Sequence, residues 1–159
     1  MARDTQLWIM VDIVTSGPVV GTHSMTELGA AVGSMKHVVI SRFDALIRPI
    51  GTAVATNPES FARAKNEGID PQEAMKNFAT WCAPFQKFNA IFIARPAAFD
   101  WPWIVWYART YLGGNPFGFR AVCALSWFLA KDKKFDDSKL TSAAARDAET
   151  QLRQFLVEA

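Results

Sequence analysis

The sequence predicts an α/β domain: a mixed sheet that opens as a three-strand antiparallel meander, continues with parallel strands and carries helices on both faces. Two observations predict this. Three apolar runs of strand length come first in the chain, separated by turn-rich stretches, and the hydrophobic period then lengthens to that of helices with one further strand among them. Half of the 159 residues are apolar and 20% are charged. That is enough for one sizeable core, so a single domain over 1–159 is expected and disorder is disfavoured.

Leu7 to Val14 is nearly continuous in its apolar character, which suits a central strand covered on both faces, and its only polar residue is Asp12. Thr15-Ser16-Gly17-Pro18 ends it, and Met25 to Val32 reads as the second strand. Gly33-Ser34 permits a tight turn into a third, His37 to Arg48, in which Phe43, Ala45 and Ile47 alternate with Arg42, Asp44 and Arg48. From Pro58 the period changes. Asp70-Pro71-Gln72-Glu73 places an acid at the N-cap, Pro at the first helical position and Glu at the third, which starts a helix. Ala74, Met75, Phe78, Trp81, Cys82 and Phe85 then form one apolar stripe. Ala90 to Ala94 reads as a fourth strand and leads through Arg95-Pro96 into a Trp-rich helix, Trp101 to Leu112, stopped by Gly113-Gly114-Asn115-Pro116. A short apolar segment, Val122 to Ala130, and a polar linker, Lys131 to Lys139, precede a last helix from about Ser142 to Val157. Its inner face is Ala144, Ala148, Leu152, Phe155 and Leu156.

The formal charge of +2 is too mild for bulk electrostatics to announce a nucleic-acid binder, so any such contact must be local. The six Trp and twelve Phe are read chiefly as core. Cys82 and Cys123 lack metal-ligand spacing and sit in apolar runs, which predicts free, buried thiols. The apolar start is interrupted by Asp12 and has no small-residue cleavage pattern, and no window reaches membrane-spanning length. A cytoplasmic, reducing setting without a membrane partner is the expectation.

Three aspartates stand where an acid is costly. Asp12 lies near the end of the most buried strand, Asp100 just after the fourth strand, and Asp147 beside the apolar stripe of the last helix. Each has an ordinary explanation available: Asp100 as the cap of the helix whose first turn holds Pro102, Asp147 as a solvated helix residue, Asp12 as a turn residue if the strand ends early. A buried carboxylate costs several kcal/mol unless hydrogen-bonded, paired or bound to a cation, and converging acids meet that cost with a metal.

Val11-Asp12-Ile13-Val14 with the turn Thr15 to Pro18 resembles the first motif of the DEDD (DnaQ-like) 3′ to 5′ exonucleases, an Asp-x-Glu on the first strand. Ala97 to Pro102, around Asp100, resembles the second motif, and Ala145-Arg146-Asp147-Ala148 the third, an Asp on the last helix with a His five residues before it. Ser24 to Ala30 is similar to the family's second strand. The resemblance covers nearly the whole chain and implies a ribonuclease H-like fold. It also implies single-stranded DNA or RNA as partner and Mg²⁺ or Mn²⁺ held by Asp12, Asp100 and Asp147. Two divalent ions about 4 Å apart activate the water and stabilise the leaving oxygen in such sites, and a His accepts the proton.

Two positions depart from the motifs. Residue 14 shares a face with Asp12 and is Val, which offers no oxygen to a metal; residue 142 is Ser, beside Thr141, and both hydroxyls are natural helix caps rather than bases. Loss of a general base alone slows such reactions about 10²- to 10⁴-fold. Glu27 and His23 are the residues from which a substitute would come; their ordinary readings are a paired Glu and, with His37, surface histidines. Thr15, Ser16, Arg95 and Trp101, with Trp103, are the candidate substrate contacts, core packing being the alternative for the tryptophans. Three readings follow: a catalytically degenerate exonuclease that still binds 3′ ends, an active two-metal exonuclease with a modified site, and a protein-interaction module. Pairing is frequent in the family, so a homodimer is a further expectation.

Overall fold

A computed structural model describes residues 6–36 and 39–158 of the chain. A five-stranded sheet is built from β1 (Trp8–Thr15), β2 (Met25–Gly33), β3 (Ser41–Leu46), β4 (Ile91–Ala94) and β5 (Ala121–Cys123), in the order β3-β2-β1-β4-β5. The first three strands pair antiparallel as a meander, and β4 and β5 add in parallel to the far side of β1. Strand β1 is therefore central. Its residues alternate between two cores. Ile9 and Val11 pack beneath α2 (Pro71–Gln86) and α3 (Ala97–Leu112), while Met10 packs beneath α4 (Ala124–Ala130) and α5 (Ala144–Glu158).

Local signals account for the helix starts. Asp70 caps α2 by accepting from the amides of Gln72 and Glu73, with Pro71 at the first position. An additional helix, α1 (Pro58–Glu67), was not delimited by the apolar pattern, since Ala64 is its one fully buried residue. Its signal is instead the Asn57-Pro58 pair, where Asn57 accepts from the Ser60 amide. Helix α3 begins at Ala97, one turn earlier than expected, with Pro96 at its N-cap. Asp100 thus lies inside the first turn and is no cap. The third strand is shorter than expected, and the expected start at His37 lies outside the described residues. The short apolar segment divides into β5 and α4.

The core is aromatic and hydrogen-bonded where it must be. Tyr107 is fully buried, and its hydroxyl accepts from the Met25 amide at 2.8 Å, satisfying the first residue of β2. Trp103, expected at the mouth, is only 1% exposed and belongs to this core. Cys82 is buried as expected; Cys123 closes β5 at the edge of the sheet and is only half-buried. No helix among the described residues is long and apolar enough to cross a membrane.

Candidate functional site

The pairing of β1 with β2 sets the geometry. Asp12 lies opposite Gly29 and Val14 opposite Glu27, and directly opposed residues of an antiparallel pair point to the same face. Asp12, Val14 and Glu27 therefore share the face that α5 covers. Gly29 allows the helix to come down on it: a Cβ there would stand 2.1 Å from the carbonyl carbon of Ala144 and the nitrogen of Ala145. This close approach brings Asp147, 6% exposed on the first turn of α5, over the strand that carries Asp12.

Asp100 arrives from the other side. Strand β4 runs parallel to β1, with Val11 opposite Ala94, so the chain leaves β4 beside Asp12 and turns into α3. Asp100 is 3% exposed, and its carboxylate meets the backbone amides of Asp100 itself and of Ile13. Burial pushes it up to about 8, and the charge of Asp12 adds to the rise. Burial likewise pushes Asp12 up to about 7; the Gln151 amide draws it back, while the charges of Asp147 and Glu27 raise it and that of Arg95 lowers it. The three aspartates singled out in the sequence are thus electrostatic neighbours.

Each is held by the protein itself. Asp147 Oδ1 accepts from the Thr141 amide at 2.7 Å and from the Thr141 hydroxyl at 2.9 Å. Gln151, one turn further along α5, donates from Nε2 to Asp12 Oδ1 at 3.2 Å. Glu27, 5% exposed, pairs with Arg63 Nη2 at 3.2 Å. These buried oxygens are the donor type that Mg²⁺ and Mn²⁺ take, and Gln151 Oε1 is buried with no hydrogen-bond partner among the described residues, so by chemistry the set fits a hard divalent cation. By placement it is not gathered: among the described residues no three His, Cys, Asp or Glu side chains stand close enough to hold an ion. The contacts of Asp147, Asp12 and Glu27 to Thr141, Gln151 and Arg63 are what keep them apart.

The two departing positions are both at the site. Val14 is partly exposed beside Asp12. Ser142 lines a polar cavity of about 180 Å³ with Glu27, Asn57, Glu59, Ser60 and Arg63. The hydroxyl of Thr141 accepts from the Ala143 amide and donates to Asp147, so it shapes the turn before α5.

The other candidates divide. Ser16 is fully buried, its hydroxyl donates to the Ala53 carbonyl and accepts from the Ser24 amide, and it ties the 53–56 loop to the end of β1. Thr15 is also buried. Arg95 pairs with Asp137 and lies over the Phe135 ring at 4.5 Å, with only 16% of its side chain exposed. Trp101 packs edge-on against Phe92 and lines an open groove of about 530 Å³ with Val20, Pro102, Val105, Trp106, Arg109 and Thr110. His23 turns inward to its own loop, where Nδ1 accepts from the Val19 amide and the ring covers Gly17. Gln151 and Arg63 went unrecognised in the sequence.

No family model matches the chain. It is 33% identical over 129 residues to the 3′-5′ DNA exonuclease Cap18 of Escherichia coli, a match spanning 77% of this chain and 67% of that protein. Among solved structures it resembles the nuclease domain of 3′hExo, a DEDDh family member bound to rAMP, with a TM-score of 0.63, 8% identity, and 98% and 92% of the two chains covered. E. coli exonuclease I in complex with a dT13 oligonucleotide superimposes with a TM-score of 0.66 and 11% identity over 96% of this chain and 41% of that one. The chain thus spans less than half the length of exonuclease I.

Proposed function

Because the chain belongs to the DnaQ-like 3′ to 5′ exonuclease family, with its ribonuclease H-like fold, we propose that it acts as one domain that binds the 3′ ends of single-stranded nucleic acid and hydrolyses them poorly or not at all. The observation that carries the reading is position 142: Ser142 faces the polar cavity next to Asp147 and has no group able to accept a proton near neutral pH. Val14 removes a second oxygen from the face of Asp12.

Asp12, Asp100 and Asp147 are the residues that would hold Mg²⁺ or Mn²⁺. Bound ions supply positive charge for the attacking water and the leaving oxygen. The chain's own groups do the rest. Trp101, Trp106 and Arg109 offer ring faces and a cation to a single strand along α3, beginning at the residue after Asp100. Arg95 sits behind them as an electrostatic counterweight to Asp12. Ser16 and Thr15 hold the turn at the end of β1 in shape. The name of the Cap18 relative supports DNA as the nucleic acid. The free thiols are compatible with a reducing compartment.

A labelled single-stranded DNA incubated with the protein and Mg²⁺ or Mn²⁺ tests the reading. Binding that weakens with salt and little 3′ shortening is the expected result. Rapid 3′ shortening abolished by Asp12→Ala would overturn it in favour of an active enzyme with a modified site, the reading that Glu27 opposite Val14 favours.

A further inference from the structure

We infer that Glu27, on β2, is a relocated metal-binding carboxylate that stands in for the oxygen Val14 lacks. The inference rests on the reading of Asp12, Asp100 and Asp147 as the acid set of the site. Residue 14 and residue 27 are directly opposed across β1 and β2, and on a shared face such a pair has Cβ atoms about 5 Å apart. A Glu side chain from the second strand therefore reaches the space that a side chain at position 14 would enter. Val14, by contrast, leaves that space without an oxygen.

The surroundings of Glu27 favour a cation. It is 5% exposed, it lies close enough to raise the Asp12 carboxylate, and it lines the cavity that Ser142 and Glu59 also line. Its one salt-bridge partner, Arg63, has a side chain 55% exposed on α1 and is free to swing into solvent. A buried carboxylate held only by a half-exposed guanidinium exchanges that partner at small cost, since exposed ion pairs contribute about 0–1 kcal/mol. A second, independent feature points to the same ligand. Gln151 is 3% exposed, donates from Nε2 to Asp12, and keeps Oε1 without a hydrogen-bond partner, an unspent oxygen beside the acids. With Arg63 on Glu27 the acids do not gather; with Arg63 displaced by an ion, Glu27 is released to join Asp12.

The consequence is that degeneracy lies in the proton-accepting half of the site and not in metal binding. It separates Glu27 from a merely structural ion pair, because the structural role predicts no gain of metal affinity when Arg63 is lost.

Mn²⁺ binding to the full chain is measured by the loss of the free Mn²⁺ electron paramagnetic resonance signal, without nucleic acid. Glu27→Gln is expected to weaken binding at least tenfold, Arg63→Gln to tighten it severalfold, and Val14→Glu placed in the Glu27→Gln background to restore it. Asp12→Asn reports on the underlying reading and should abolish binding. Loss in Asp12→Asn with wild-type affinity in Glu27→Gln overturns the role of Glu27 while leaving the acid set standing. Unchanged binding in Asp12→Asn overturns both. Should Glu27→Gln not fold, an unchanged or weaker affinity in Arg63→Gln overturns the proposal by itself.

Discussion

Gly29 lies directly beneath the Ala144–Ala145 peptide, so close that a single methyl group at position 29 would stand 2.1 Å from that backbone. The consequence is that the register of α5 over the sheet, and with it the placement of Asp147 and Gln151 above Asp12, depends on the absence of one side chain.

Gly29→Ala should therefore act on the site as well as on stability. Backbone cannot yield as a flexible side chain can, so the helix must lift, and overpacking of this kind costs about 1–3 kcal/mol. Urea denaturation should show that loss. The more telling measurement is the Asp12 titration followed by carboxyl NMR, since lifting α5 removes the Gln151 donor; an unaltered titration would mean that α5 does not set the environment of Asp12.

The raised carboxylates give stability a definite pH dependence. Asp12 is pushed from its ordinary 3.8 to about 7, and Asp100 from 3.8 to about 8. Between those limits the folded chain binds more protons than the unfolded one, so their contribution is most favourable near pH 4 and is lost as the pH rises through about 8. Asp12→Asn removes one of the two. In metal-free buffer it should gain about 1–2 kcal/mol over wild type at pH 8.5 and almost nothing at pH 5, well under the full shift because Asp12 is partly solvated. A gain of equal size at both pH values would count against the carboxylate as its source.

Much of this arrangement was legible in the sequence. Asp12 announces itself because it is the one polar residue in an apolar strand, and Asp147 because it abuts an apolar helical stripe. The antiparallel meander follows from three strand-length runs joined by turns. Helix α1 was missed because its face carries Glu59, Arg63, Lys65 and Glu67 and it buries little, so periodicity has no stripe to read. The opposition of Val14 to Glu27 depends on the pairing register, which a β-bulge between Val14 and Thr15 shifts one residue later, and residue types alone do not count that shift. Gln151 was passed over for a similar reason. A polar residue at the margin of a stripe faces either solvent or a neighbour, and only the packing against β1 decides.

Divalent ions should stabilise the protein in a pH-dependent way. A cation binds only the ionised acids, and Asp12 and Asp100 become fully ionised only above about 7 and 8. Adding Mn²⁺ should therefore raise the melting temperature at pH 8.5 by several degrees and leave it nearly unchanged at pH 5.5. Ions bound to the native state alone act by mass action, so the rise should grow with the logarithm of Mn²⁺ concentration. A comparable rise in Asp12→Asn would place the binding elsewhere on the chain.

The groove along α3 makes the last prediction. Trp101 and Trp106 are half-buried and line it together with Val20, while Arg109 is exposed at its far end, one helical turn from Val105. A single strand leaving the acids would stack on the tryptophans and set a phosphate against Arg109. Arg109→Gln, at an exposed position, should leave stability within about 0.5 kcal/mol of wild type. It should weaken oligo-dT binding and lower the slope of log affinity against log salt by about 0.7, the value for one phosphate contact on a single strand. Trp106→Phe should weaken binding without altering that slope, since stacking releases no counterion. Fluorescence anisotropy titrations at three salt concentrations separate the two effects, and a slope unchanged in Arg109→Gln would move the strand off α3.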